Sequence, residues 1–122
     1  MCGIVGLFIK NPVLEPQLGE LIAPMLSEMT ERGPDSAGIA VYHDPNDKGC
    51  KITVLAENLD FDWSDLEESL KASFALKKIT VTQNHAVLTL DSAISEVQDW
   101  LNENWKELSV TSAGTNIEIF KG

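Results

Sequence analysis

Apolar positions in the first forty residues change period twice. Gly3 to Ile9 is a short apolar run closed by Asn11-Pro12, which predicts a buried strand. Leu14, Leu18, Leu21, Ile22, Met25, Leu26 and Met29 then recur at helical spacing, a stripe that predicts a helix packed on a core. Pro24 lies inside that stripe and removes a backbone donor, so a kink or a helix in two pieces is expected. Gly38 to Tyr42 predicts a second strand, ending at the turn-forming pair Asp44-Pro45.

Lys51-Ile52-Thr53-Val54-Leu55 begins a longer pattern. Asp62 is placed to cap a helix that carries Trp63, Leu66, Leu70 and Phe74 on one face. Lys78–Thr82 and Ala86–Leu90 predict two strands joined by a turn at Gln83-Asn84. Asp91 or Ser92 is the expected cap of a further helix bearing Ile94, Val97, Trp100 and Leu101, and Glu107–Thr111 a closing strand. The order is β-α-β-β-α-β, the split pattern of ferredoxin-like units. Ile117 to Lys121 follows as a strand, and it is the expected partner of Gly38–Tyr42. On that expectation the unit from 49 to 112 is an insertion at a hairpin tip, where added length costs little.

Composition narrows the function classes. At 122 residues the chain is one small domain or part of a larger one, and 43% hydrophobic content suffices for a core. A formal net charge of −10 argues against nucleic acid, whose phosphates need clustered Lys and Arg. No apolar run approaches a membrane span, and the N-terminus lacks the basic start of a signal peptide. A cytoplasmic location is expected. Cys2 and Cys50 form neither a metal pattern nor a disulfide framework. Cys50, after a polar stretch, reads as an incidental thiol; His43 and His85 read as surface residues. No metal or other cofactor is implied.

Cys2 carries the candidate chemistry. If Met1 is removed, which a small second residue permits, Cys2 bears a thiol and a free α-amine together. A free Cys titrates at about 8.5 and an α-amine at about 7.7–8.0, so the amine can take the thiol proton and return it. Nucleophile and base then share one residue. Against this stands the plain alternative that Cys2 is a small apolar residue in a buried strand. A second segment, Glu31-Arg32-Gly33-Pro34-Asp35-Ser36-Ala37-Gly38, bears on the choice. Gly33-Pro34 forces the helix to stop, Asp35 and Ser36 can bond the neighbouring backbone, and Arg32 sits just before the turn.

Met1-Cys2-Gly3-Ile4-Val5-Gly6 together with Arg32-Gly33-Pro34-Asp35-Ser36-Ala37-Gly38 resembles the class II glutamine amidotransferases, an N-terminal-nucleophile (Ntn) hydrolase family. The resemblance covers about a third of the chain. It implies an α+β fold: the N-terminal part of an Ntn-hydrolase αββα sandwich, residues 1–48 and 113–122, with a ferredoxin-like insertion over 49–112. It implies glutamine as substrate, Cys2 as catalytic nucleophile and Arg32 as an organiser of the substrate site. Gly3, Gly33 and Asp35 would be structural there, and a synthase domain or subunit would use the ammonia. Ser112-Ala113-Gly114 to Lys121 is similar to the glutamate-synthase-like branch, which includes N-methylglutamate synthase amidotransferase subunits. The family's later segments, an Arg-Thr strand, an Asn-Gly oxyanion pair and an Asp for the glutamine amine, have no counterpart in this sequence. An incomplete, inactive and self-associating chain is therefore expected. The competing expectation is a non-catalytic ferredoxin-like interaction or ligand-binding module on a degenerate amidotransferase-like scaffold.

Overall fold

In the computed structural model, which describes residues 2–44 and 49–122, alternation along one strand organises most of the buried surface. Strand β2 (Cys50–Ala56) turns Cys50, Ile52, Val54 and Ala56 to one side and Lys51, Thr53 and Leu55 to the other. It lies inside an antiparallel sheet with β3 (Leu76–Thr82), β4 (His85–Leu90) and β5 (Leu108–Gly114), in the order β3-β4-β2-β5. Helices α2 (Trp63–Ser73) and α3 (Ile94–Asn104) cover the first side, where Leu66, Leu70, Val97 and Leu101 meet Ile52, Val54, Leu88 and Leu90. Each such side chain, taken fully from water, contributes about 1.5–3 kcal/mol before entropy is charged against it.

The helix ends follow from local chemistry. Asp62 accepts from Ser64 N–H at 3.0 Å, and this capping, with the Ser64 hydroxyl first among its donors, holds the Asp62 carboxyl below its ordinary value. Helix α3 corrects the expected cap: Ala93 holds that position, without a side-chain bond. Asp91 instead faces Lys77 at 3.7 Å.

The second side of the sheet is covered by β6 (Ile117–Lys121), which pairs antiparallel with β1 (Gly38–Tyr42), Gly38 opposite Lys121 and Tyr42 opposite Ile117. The chain doubles back after β5 at Gly114, where an added Cβ would stand 3.2 Å from Ile117 Cγ2. With that cover Thr53 has no exposed surface, while Lys51 and Leu55 on the same side are half-buried. Two readings from sequence are overturned here. Cys50 is a core residue in phase with Ile52 and Val54, and burial pushes its thiol pKa up. His85 is buried at the start of β4 rather than lying on the surface.

The chain divides into two compact units, Met1–Ala37 and Gly38–Gly122. The first differs most from expectation. Residues 2–10 form no strand, and Ile4 and Phe8 are almost wholly exposed. A strand needs a partner to satisfy its backbone, and among the described residues none pairs with it. The expected single helix is a 3₁₀ turn over Pro12–Gln17 followed by α1 (Leu18–Glu28). The break lies at Gln17/Leu18, not at Pro24, which sits within α1. Leu18, Ile22, Met25, Leu26 and Met29 are only half-buried, and α1 buries no residue fully. Met1 and the turn at Pro45 lie outside the described residues.

Candidate functional site

The site is built where the first residues return to the end of α1. Past Glu28 the backbone tightens: Thr30 N–H donates to Ser27 carbonyl at 3.2 Å, and Arg32 and Gly33 N–H both donate to Met29 carbonyl, at 3.0 and 3.2 Å. These bonds satisfy carbonyls that a helix end leaves open, and they fix where Arg32 leaves the backbone. Pro34 then prevents continuation.

Gly3 packs against this turn. A Cβ added at Gly3 would stand 2.9 Å from Met29 Sδ, 3.4 Å from Arg32 Cβ and 3.7 Å from Arg32 Cδ. The structure therefore brings together two segments that are about thirty positions apart in sequence. Glycine is what permits the approach. The stem of Arg32 is applied to the backbone one residue from Cys2, while its guanidinium has no carboxylate partner among the described residues.

Cys2 is exposed and its thiol unbonded to any other cysteine. Gly33 takes part through its backbone donor alone. Asp35 and Ser36 are exposed, and neither makes a side-chain hydrogen bond among the described residues. The turn is held by Met29's carbonyl instead of by the Asp35 and Ser36 side chains, a correction to the expected role of that pair. Chemically the arrangement offers an accessible thiol and a cation anchored at its stem. No group of three or more His, Cys, Asp or Glu that could hold a metal occurs among the described residues. No helix among them is long and apolar enough to cross a membrane.

A second polar cluster, which sequence reasoning missed, lies in the other unit and fastens β6. Thr111 Oγ1 donates to Ile119 carbonyl at 2.6 Å, with Thr53 carbonyl also in reach at 3.2 Å. Ile119 N–H donates to Ser112 Oγ at 3.1 Å, and Lys121 N–H to His85 Nε2 at 2.9 Å. Glu118 Oε1 takes Lys51 Nζ at 2.8 Å and His43 Nε2 at 3.3 Å. These side chains cap the edge of β6 that faces away from β1, an edge otherwise open to further pairing. The available signal was the phase of His85, which alternates with Ala86 and faces the same way as Val87.

No family model matches this chain, and no solved structure matches it. Over 122 residues it is 39% identical to the glutamine amidotransferase-like protein GlxB of Rhizobium meliloti (strain 1021), a match that covers 99% of this chain and 40% of that protein. The chain thus spans about two fifths of that relative's length, and nearly all of the chain is similar to a glutamine amidotransferase-like protein.

Proposed function

We propose that this chain is the nucleophile-bearing part of a class II glutamine amidotransferase, with Cys2, freed of Met1, as the attacking residue. The observation that carries the proposal is the 39% identity to GlxB over a stretch that includes both the Cys2-Gly3-Ile4 and the Arg32-Gly33-Pro34-Asp35 segments. The seat of Gly3 on the Arg32 stem supports it, because it joins those two segments in space.

In this mechanism the Cys2 α-amine accepts the thiol proton, and the thiolate attacks the side-chain carboxamide carbon of glutamine. The oxyanion that forms collapses, the C–N bond breaks, and the amine's proton leaves with ammonia. Water then adds to the thioester carbon and releases glutamate and the thiol. Arg32 organises the substrate side of the site. The oxyanion donors, whose loss costs on the order of 10²–10³ in rate in other hydrolases, are supplied from outside this chain. The ammonia passes to a synthase domain or subunit, in a cytoplasmic enzyme of the glutamate-synthase-like branch. Residues 3–9 and β1 belong in this reading to an Ntn-hydrolase αββα sandwich, with 49–112 as a ferredoxin-like insertion. The β3-β4-β2-β5 order supports the last point, since it is the order of a split β-α-β unit.

The test is made on the longest natural polypeptide that contains this chain. Intact mass should show Met1 absent, and a diazoketone analogue of glutamine should form an adduct at Cys2 that Cys2→Ala abolishes. A retained Met1, with no adduct, overturns the proposal. The 122 residues alone should hydrolyse glutamine no faster than their Cys2→Ala variant.

One observation favours a second reading, a non-catalytic binding or interaction module: among the described residues every buried one lies in Gly38–Gly122. Under that reading Cys2→Ala changes nothing in the natural polypeptide, and Met1 is retained.

A further inference from the structure

We propose that His85 is a pH-sensitive latch that holds the Lys121 end of β6 on the four-stranded sheet only while its imidazole is neutral. The geometry is specific about protonation. Lys121 N–H donates to His85 Nε2 at 2.9 Å, so Nε2 must carry a lone pair and the ring hydrogen must sit on Nδ1. Protonation replaces that lone pair with an N–H aimed at another N–H. The ring is buried beside Phe120, at 5.4 Å between centroids, and cannot swing freely into water.

The surroundings offer the imidazolium no compensation. The residues opposite His85 in the sheet, Leu55 on β2 and Thr82 on β3, carry no charge; Lys51 and Lys78 share its sheet face only four residues along, opposite Thr89, and β6 adds Glu118 and Lys121. Glu118 is already engaged by Lys51 and His43, and His85 has no carboxylate contact among the described residues. Burial accordingly lowers the pKa of His85 from its ordinary value. The neutral form is therefore favoured in the folded state. The latch's contribution is fully present above the unfolded value of about 6.5 and is lost as pH falls toward and through the lower folded value.

What the latch releases is local. Lys121 lies opposite Gly38, the first residue of β1, which follows directly on the segment that carries Arg32 to Ala37. Mild acid therefore loosens the Gly38–Lys121 end of the strand pair.

Amide hydrogen exchange on the 122-residue chain, corrected for intrinsic rates and read between pH 8 and pH 5 alongside the NMR titration of the His85 ring, tests this. Between the unfolded value of about 6.5 and the ring's lower folded pKa, protection of the Lys121 amide should fall by up to about tenfold per pH unit, the limiting slope for one proton, and level off below that pKa, while that of Leu88 stays level. His85→Gln, whose side-chain oxygen accepts the same bond without titrating, should hold Lys121 protection flat. Lys121 protection that ignores the ring's titration, or that falls in step with Leu88, overturns the latch. If His85→Gln does not fold, the comparison of Lys121 with Leu88 in the unaltered chain decides alone.

Discussion

Residues 2–37 hold every side chain of the candidate site and bury none of them, whereas residues 38–122 hold the buried core and none of those site residues. The two units differ less in composition than in cover. Leu18, Ile22 and Met25 of α1 are as apolar as Leu66, Leu70 and Val97, yet α1 has no sheet laid over it within its own unit. Function concentrates in the less stable part of many proteins, because a site must stay open to substrate and a core must not. Here the separation is sharp enough to test.

The largest expected effect comes from cutting into each unit in turn. Leu88→Ala should cost about 2–5 kcal/mol in urea denaturation, the range for a Leu truncated in a closed core. Ile22→Ala, at a half-buried site in α1, should cost under about 1 kcal/mol. Equal costs would mean that α1 is covered in solution, and the contrast would fail. A second effect follows from the exposed side chains of the first unit. Ile4, 96% exposed, and Phe8, 83% exposed, lie in a segment without regular secondary structure, so the 122-residue chain should self-associate in sedimentation. The double variant Ile4→Lys with Phe8→Lys should return it to monomer; an unaltered association would place the sticky surface elsewhere.

The contrast also marks what could be read from sequence. The strands and helices of the second unit were legible because each has its own period: Ile52 and Val54 alternate, and Leu66 and Leu70 recur four apart. Gly3 to Ile9 has an equally apolar pattern but no partner among the described residues, and a pattern records only what a segment would bury, not whether a surface is there to bury it against. Cys50 could have been placed correctly from its phase with Ile52; its polar neighbours obscured that. The site was legible as two motifs, but not as a contact. The approach of Gly3 to Arg32 depends on where a tightened helix end places one side chain, and no local pattern encodes it. The fastening of β6 was the least legible feature, since Thr111, Ser112 and His85 bind backbone groups and so leave no mark on the sequence of their partners.

A smaller effect sharpens the comparison from within the core. Thr53 Oγ1 is buried with no hydrogen-bond partner among the described residues, a desolvated hydroxyl whose burial costs about 1–3 kcal/mol. Thr53→Val keeps the branched shape and removes the orphaned oxygen, so it should stabilise the second unit by about 1 kcal/mol. Thr53 carbonyl, which Thr111 approaches, is untouched by the change. A loss of stability instead would show that water reaches the hydroxyl beneath β6, and that this side of the sheet is less tightly closed than the helix side.

The smallest effect sits at the Gln83-Asn84 turn between β3 and β4. Gln83 has a φ of 53°, the left-handed region that a side chain with a Cβ disfavours by roughly 1–2 kcal/mol. The turn tolerates it because the strands on either side are tied down. Thr82 pairs with His85, Asn84 Nδ2 donates to Ala56 carbonyl at 2.9 Å, and Ala56 N–H returns to Asn84 carbonyl at 2.8 Å. Gln83→Gly removes the strain but gives the unfolded chain more freedom, so the net gain should be no more than about 1 kcal/mol. Gln83→Asn, which keeps more of the restriction and suits the left-handed region, should match or exceed it. Both gains should appear as a raised midpoint with an unchanged slope in urea, since neither alters the surface exposed on unfolding. A loss in both variants would mean that the Gln83 side chain makes a contact that compensates its backbone, and would move this turn from a tolerated strain to a fastening of the sheet.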